Sequence, residues 1–138
     1  MLTRSMWYCV VVILLAMALA PNHTAQAQSD DIVRLNSRIS DLYRTGKYGE
    51  AIPLAERSLE LTRAQKGEDH LDTATRMGWL AGLYESQGRY AEAEPLYKRA
   101  LALSEKALGP DHPAVGTSLN NLAALYRSQG RYGVSVLP

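Results

Sequence analysis

Apolar residues along the chain fall into two regimes. From Met6 to Ala20 they run without a charge, and from about residue 31 onward they recur at helical spacing. Met77, Leu80, Ala81 and Tyr84 stand at i, i+3, i+4 and i+7, the one-sided stripe of an amphipathic helix. That stripe stops at Gly88, a residue able to take the left-handed conformation that closes a helix end. A second stripe, Ala93, Leu96, Tyr97, Ala100 and Leu101, begins just after Tyr90. Glu92 and Glu94 occupy its first turn, where negative charge meets the positive end of the helix dipole. Pro95 sits early enough to cost little hydrogen bonding. Gly109-Pro110 ends the stripe, and Asp111 with Pro113 opens the next helix, as its N-terminal cap and as a residue already fixed at helical φ. The predicted unit is helix, tight turn, helix, longer loop.

This unit repeats. Gly46-Lys47-Tyr48, Gly88-Arg89-Tyr90 and Gly130-Arg131-Tyr132 are spaced 42 residues apart, and Gly67-x-Asp69-His70 returns as Gly109-x-Asp111-His112 at the same offset. Over 80–90 and 122–132, nine of eleven positions are identical, which chance does not produce in a chain of mixed composition. Projecting the pattern predicts helices at about 31–45, 49–66, 71–87, 91–108 and 113–129. The first copy is weaker, with Leu35, Ile39 and Leu42 in the core register but Arg38 where Leu80 and Leu122 stand. The small residues Ala51, Ala81, Ala93 and Ala123 let neighbouring helices approach closely. One helix pair cannot bury its own apolar faces, so stacking of units must supply the core.

The chain resembles tetratricopeptide repeats, in particular the forty-two-residue variety of kinesin light chains and many bacterial proteins. The residues that carry the likeness are Met77, Leu80, Ala81, Tyr84, Gly88, Tyr90, Ala93, Tyr97 and Ala100, and, in the next copy, Leu119, Leu122, Ala123, Tyr126, Gly130 and Tyr132. The loop Leu108-Gly109-Pro110-Asp111-His112-Pro113, followed by Leu119-Asn120-Asn121-Leu122-Ala123, is similar to the light-chain signature. The resemblance implies an all-α fold, a right-handed superhelical solenoid of antiparallel helix pairs with about two and a half repeats. The array would span 28–132, with units at about 31–66, 71–108 and an incomplete 113–132. Gly133 to Pro138 replaces the expected second helix of the third unit with a divergent tail. An interrupted gene product is one expectation from that tail, and self-association through the open third unit is another.

The same resemblance places the first helix of each unit on a concave wall that binds a protein or peptide. Its candidate contact residues are Asn36, Tyr43 and Arg44 in the first unit, Thr75 and Glu85 in the second, and Thr117, Asn120 and Arg127 in the third. Ser40, Gly78, Gly82, Ser86, Ala124 and Ser128 share those faces. Asn120 and Arg127 lie seven apart, suited to a peptide amide and a carboxylate. Gly78 and Gly82 thin the wall and leave room for a bulky partner side chain. Trp79 reads as a packing residue. His70 and His112, beside Asp69 and Asp111, fit helix capping better than a metal site, since no third ligand accompanies them.

Composition narrows the functional classes. Fifteen Lys and Arg stand against 14 Asp and Glu, for a net charge of +1, with no basic stripe of the kind a nucleic-acid binder needs. No H-E-x-x-H, G-x-S-x-G or phosphate-cradling glycine loop with a lysine is present, so neither an enzyme nor a cofactor is expected.

The first 27 residues read as an address. Arg4 is the only charge before Asp30, the apolar run is shorter than the roughly 20 residues a spanning helix needs, and Ala25-Gln26-Ala27 offers a small-x-small cleavage site. Cleavage after Ala27 is expected rather than after Ala20, where Pro21 would follow the cut. It would remove Arg4, Cys9 and the Asn22-His23-Thr24 glycosylation pattern, leaving 14 basic and 14 acidic residues and no thiol. Cys9 lies too early in the run for a lipoprotein. An exported protein, periplasmic or secreted, is the expectation; the alternative is an uncleaved segment anchoring the chain to a membrane.

Overall fold

The structure, a computed structural model, describes the backbone of residues 4–130 and the side chains of Tyr8 and residues 24–130. Five helices follow one another: α1 (Arg4–Arg44), α2 (Tyr48–Lys66), α3 (Leu71–Ser86), α4 (Tyr90–Leu108) and α5 (Pro113–Ser128). α2 to α5 match the expected spans to within a residue at each end. The fold is an all-α tetratricopeptide-type solenoid of about two and a half repeats. Each helix packs on the next in sequence, and α3 also meets α5 directly, the neighbour-only contact pattern of stacked repeats.

The turns explain the regularity. Gly46, Gly67, Gly88, Gly109 and Gly130 all have φ between 68° and 101°, and no non-glycine residue among the described ones has positive φ. They stand 21 residues apart, half the repeat, so each helix end is marked by a residue that takes the left-handed conformation without a Cβ penalty. At Gly46 and Gly88 the closure is a Schellman motif. Lys47 N donates to Leu42 O (2.9 Å) with Gly46 N to Tyr43 O (3.1 Å), and Arg89 N donates to Tyr84 O (2.9 Å) with Gly88 N to Glu85 O (2.8 Å).

The longer loops are capped differently from the expectation. His112, not Asp111, is the N-cap of α5, its Nδ1 accepting from Ala114 N at 3.1 Å; His70 does the same for α3 through Asp72 N at 3.0 Å. Asp69 is thereby left to pair with Arg99 and Lys106 of α4, each at 3.0 Å. The Lys106 ammonium, with Arg99 behind it, holds the Asp69 carboxyl below the ordinary range.

The core is a single cluster that includes Ile39, Leu42, Leu59, Met77, Leu80, Leu83, Leu101, Leu122 and Leu125. Burying such a side chain contributes roughly 1.5–3 kcal/mol. Ala51, Ala81 and Ala93 are fully shut from solvent, so backbones approach closely at those points. Arg38 is exposed.

Tyr84 and Tyr126, one repeat apart, occupy equivalent buried positions at 8% and 5% exposure. Their hydroxyls find different acceptors. Tyr84 donates to Glu56 of α2 (2.7 Å) and Tyr126 to Glu94 of α4 (3.0 Å). The residue equivalent to Glu56 is Lys98, so the second bond shifts back one helical turn, to a carboxylate that Lys98 also pairs with at 2.8 Å. Burial and the Glu56 carboxylate push the Tyr84 phenol up to about 12.

The first helix departs from its expected start. α1 does not begin near residue 31 but continues unbroken from Arg4, passing through Ala25-Gln26-Ala27. Ala and Gln favour helix, and no glycine lies between Ala25 and Arg44 to end it. Gln65 of α2 clasps this extension, donating to Ala25 O (3.2 Å) and Ser29 Oγ (2.6 Å). Among the described side chains no helix is long and apolar enough to cross a membrane. The apolar run 6–20 of the expected leader lies outside those side chains, apart from Tyr8, as do Cys9, Asn22 and His23; Arg131, Tyr132 and the divergent tail 133–138 are likewise outside the described residues.

Candidate functional site

Two clefts open between successive first helices. The larger, about 470 Å³, lies between α3 and α5 over a floor from α4. α3 supplies Leu71, Ala74, Thr75, Gly78, Trp79 and Gly82; α4 supplies Tyr97, Ala100 and Ser104; α5 supplies Ala114, Thr117, Ser118 and Asn121; and Tyr43 closes one end. None of these side chains carries a charge. A Cβ at Gly78 would meet nothing within 4 Å and one at Gly82 would come 3.4 Å from the Tyr97 hydroxyl, so the absent side chains are what hold the cleft open.

Its aromatic rim is ordered by contacts. Trp79, 46% exposed, stands edge-on to Tyr43 with ring centroids 6.4 Å apart, and Tyr43, 41% exposed, meets Tyr48 at 5.4 Å. Trp79 therefore both packs on a neighbour, as its residue type suggested, and presents a face to the cleft. Tyr97 on the floor donates from its hydroxyl to Glu85 Oε2 (3.0 Å), while Glu85 Oε1 accepts from Ser128 (3.2 Å). Burial and the Glu85 carboxylate push the Tyr97 phenol above its ordinary range, so it stays a neutral donor.

The smaller cleft, about 190 Å³, lies between α1 and α3 over α2, lined by Asn36, Ile39, Ser40, Ala55, Ser58, Arg76 and Trp79. Six of these seven lie 42 residues before a lining position of the larger cleft: Asn36 before Gly78, Ser40 before Gly82, Ala55 before Tyr97, Ser58 before Ala100, Arg76 before Ser118 and Trp79 before Asn121.

The expected contact residues divide accordingly. Tyr43, Thr75 and Thr117 meet in the larger cleft with Gly78 and Gly82, while Asn36 and Ser40 line the smaller one. Glu85 stands behind the floor as the anchor of Tyr97. Arg44 is exposed and paired with Asp41 of its own helix. Ser86 Oγ donates to Gly82 O within α3. Asn120, Arg127 and Ala124 lie outside both clefts. On α5 the cleft side is Ala114, Thr117, Ser118 and Asn121, an i, i+3, i+4, i+7 stripe that passes beside Asn120. Each first helix has two flanks, one toward the preceding unit and one toward the following unit, and a single wall register cannot describe both. Of the floor residues, Tyr97 and Ala100 were legible only as core, and Ser104 was not singled out. Their signal is the small size of Ala100 and Ser104 on the stripe of a second helix.

His70 and His112 are occupied as caps. Among the described residues no three metal-ligating side chains come together. A model of the tetratricopeptide repeat family matches residues 31–102 and again 76–136. No curated protein matches the chain.

Proposed function

The chain belongs to the tetratricopeptide repeat family, whose repeats are generally protein–protein interaction modules, and from that premise we propose that it binds a linear segment of a partner protein in the cleft between α3 and α5. The segment places one uncharged apolar side chain over Gly78 and Gly82. Thr75, Thr117, Ser118 and Asn121 then meet its backbone amides with hydroxyl and amide groups. The observation that carries this reading is the charge-free lining of a 470 Å³ cleft with an aromatic rim. A charged side chain placed there would lose its hydration with no counter-charge in reach.

The action is scaffolding rather than catalysis. The forty-two-residue period and the Gly-Pro-Asp-His-Pro loop support a kinesin-light-chain-type array. The positive start, apolar run and Ala25-Gln26-Ala27 support an exported bacterial protein acting in the cell envelope.

Selection from a displayed library of short linear peptides tests the binding. The expected result is enrichment of one neutral apolar position, with Asp, Glu, Lys and Arg depleted there. Gly78→Asn combined with Gly82→Ser puts the smaller cleft's side chains into the larger one. It should weaken a selected peptide about tenfold or more, roughly 1.4 kcal/mol. Enrichment of charged residues at that position, or equal affinity in the double variant, would refute the reading.

A further inference from the structure

We propose that the smaller cleft, between α1 and α3, is a binding site for a small oxyanion of the phosphate or carboxylate type, held by Arg76 and Asn36. The site is independent of the peptide reading, since it uses the other flank of α3. Four basic side chains make no ion pair among the described residues with described side chains: Arg38, Lys66, Arg127 and Arg76. The first three are exposed, where water solvates the charge; Arg76 is half-buried. Its Nε is shut off from solvent without a hydrogen-bond partner, which costs free energy unless a counter-charge is near. Burial lowers its pKa, with Asp72 opposing, yet an arginine stays charged at neutral pH.

No carboxylate lines the cleft. Asp72 lies on the same helix as Arg76, faces solvent and leans toward His70 at 3.6 Å. Of the remaining polar groups, the Ser58 and Ser40 hydroxyls donate their protons to Asn36, and the Asn36 amide keeps the open donor end. Ser58 Oγ donates to Asn36 Oδ1 at 2.8 Å, which occupies the amide's acceptor end and leaves its NH₂ group without an acceptor among the described residues. Ser40 Oγ donates to Asn36 O at 3.0 Å. Arg76 and Asn36 both line this small cavity, and a guanidinium with an amide NH₂ matches the acceptor oxygens of an oxyanion. At about 190 Å³ the cavity has room for one such group. The equivalent position in the next unit is Ser118, so the larger cleft lacks this charge.

Thermal unfolding of the full chain in sodium phosphate, in sodium acetate and in sodium chloride at matched ionic strength tests the site. Phosphate at a severalfold excess over its dissociation constant should raise Tm by about 4 °C relative to chloride, saturably. Phosphate also stabilises proteins generally by exclusion from their surfaces, so the readout is the difference between wild type and Arg76→Gln, which should lose the saturable rise. Asn36→Asp supplies its own carboxylate and should fold with an equal or higher Tm and no phosphate response. Arg127→Gln, on the exposed face of α5, should keep it. A rise in acetate as well assigns the site to carboxylates and phosphates alike; a rise in phosphate alone assigns it to phosphate. Equal Tm in all three salts, or an undiminished saturable rise in Arg76→Gln, overturns the proposal.

Discussion

The cleft between α1 and α3 and the cleft between α3 and α5 are the same construction made twice. Corresponding positions line both, over a floor from the intervening second helix. Yet one is small, polar and cationic, and the other more than twice as large and uncharged. At the position of Arg76 the next unit has Ser118, and at those of Asn36, Ser40 and Ser58 it has Gly78, Gly82 and Ala100. The core positions behind these walls stay filled by apolar or aromatic residues even where their size changes, with Ile39 and Leu42 answered by Ala81 and Tyr84, then by Ala123 and Tyr126. A repeat constrains the residues that stack and leaves the wall to vary, so recognition chemistry can change from one unit to the next while the stack is kept.

Three measurements bear on how far that equivalence extends. The largest effects belong to the shared scaffold. Leu80→Ala and Leu122→Ala remove equivalent side chains, 4% and 2% exposed, and each should cost about 2–5 kcal/mol in urea-induced unfolding. A cost below about 1 kcal/mol for Leu122→Ala alone would show that α5 lies outside the cooperative core.

The next effect concerns Tyr84. The unfolded Tyr84 phenol ionises near pH 10 while the folded one keeps its proton to about 12. Unfolding therefore releases a proton in that window. The stabilisation is fully present below pH 10 and is lost as pH rises toward 12, by about 1–2 kcal/mol. Urea midpoints from pH 9 to 12 should fall less steeply in Tyr84→Phe than in wild type. Parallel slopes would mean that burial and the Glu56 carboxylate together do not hold the proton.

The smallest effect probes the larger cleft. Gly78→Ala should stabilise the chain by about 1 kcal/mol, the helix-propensity gap between the two residues, because nothing lies within 4 Å of the added carbon. Gly82→Ala should gain less, since its Cβ comes 3.4 Å from the Tyr97 hydroxyl. A higher Tm for Gly78→Ala than for Gly82→Ala would sharpen the contrast with Asn36 and Ser40; the reverse order would break it.

Much of the fold was legible beforehand. The i, i+3, i+4, i+7 stripes and the glycines located α2 to α5 within a residue, because helix burial and helix closure are local demands written into neighbouring positions. The start of α1 was not read from the sequence, although Ala and Gln favour helix there and no glycine ends it; Gln65 adds contacts from 36 and 40 residues away. The caps were half legible: the Asp-His pairs marked the helix starts, but only the loop geometry gave the acceptor role to the histidines and sent Asp69 to α4. At the candidate site, Tyr43, Thr75, Thr117 and the two glycines could be named from the first-helix register. Trp79 as a rim residue, Asn121 in place of Asn120, and the α4 floor could not.

The forty-two-residue period, the alternation of helix and turn, and the membership of Leu80, Tyr84 and Tyr126 in the core follow from the sequence alone, because each reflects periodic burial of apolar surface. Which flank of a first helix faces which neighbour, which glutamate a buried hydroxyl reaches, and that Arg76 is half-buried at a cleft lined by no carboxylate are matters of tertiary structure. They depend on how far one unit rotates against the next, an angle set jointly by packing among five helices rather than by any residue's own preference.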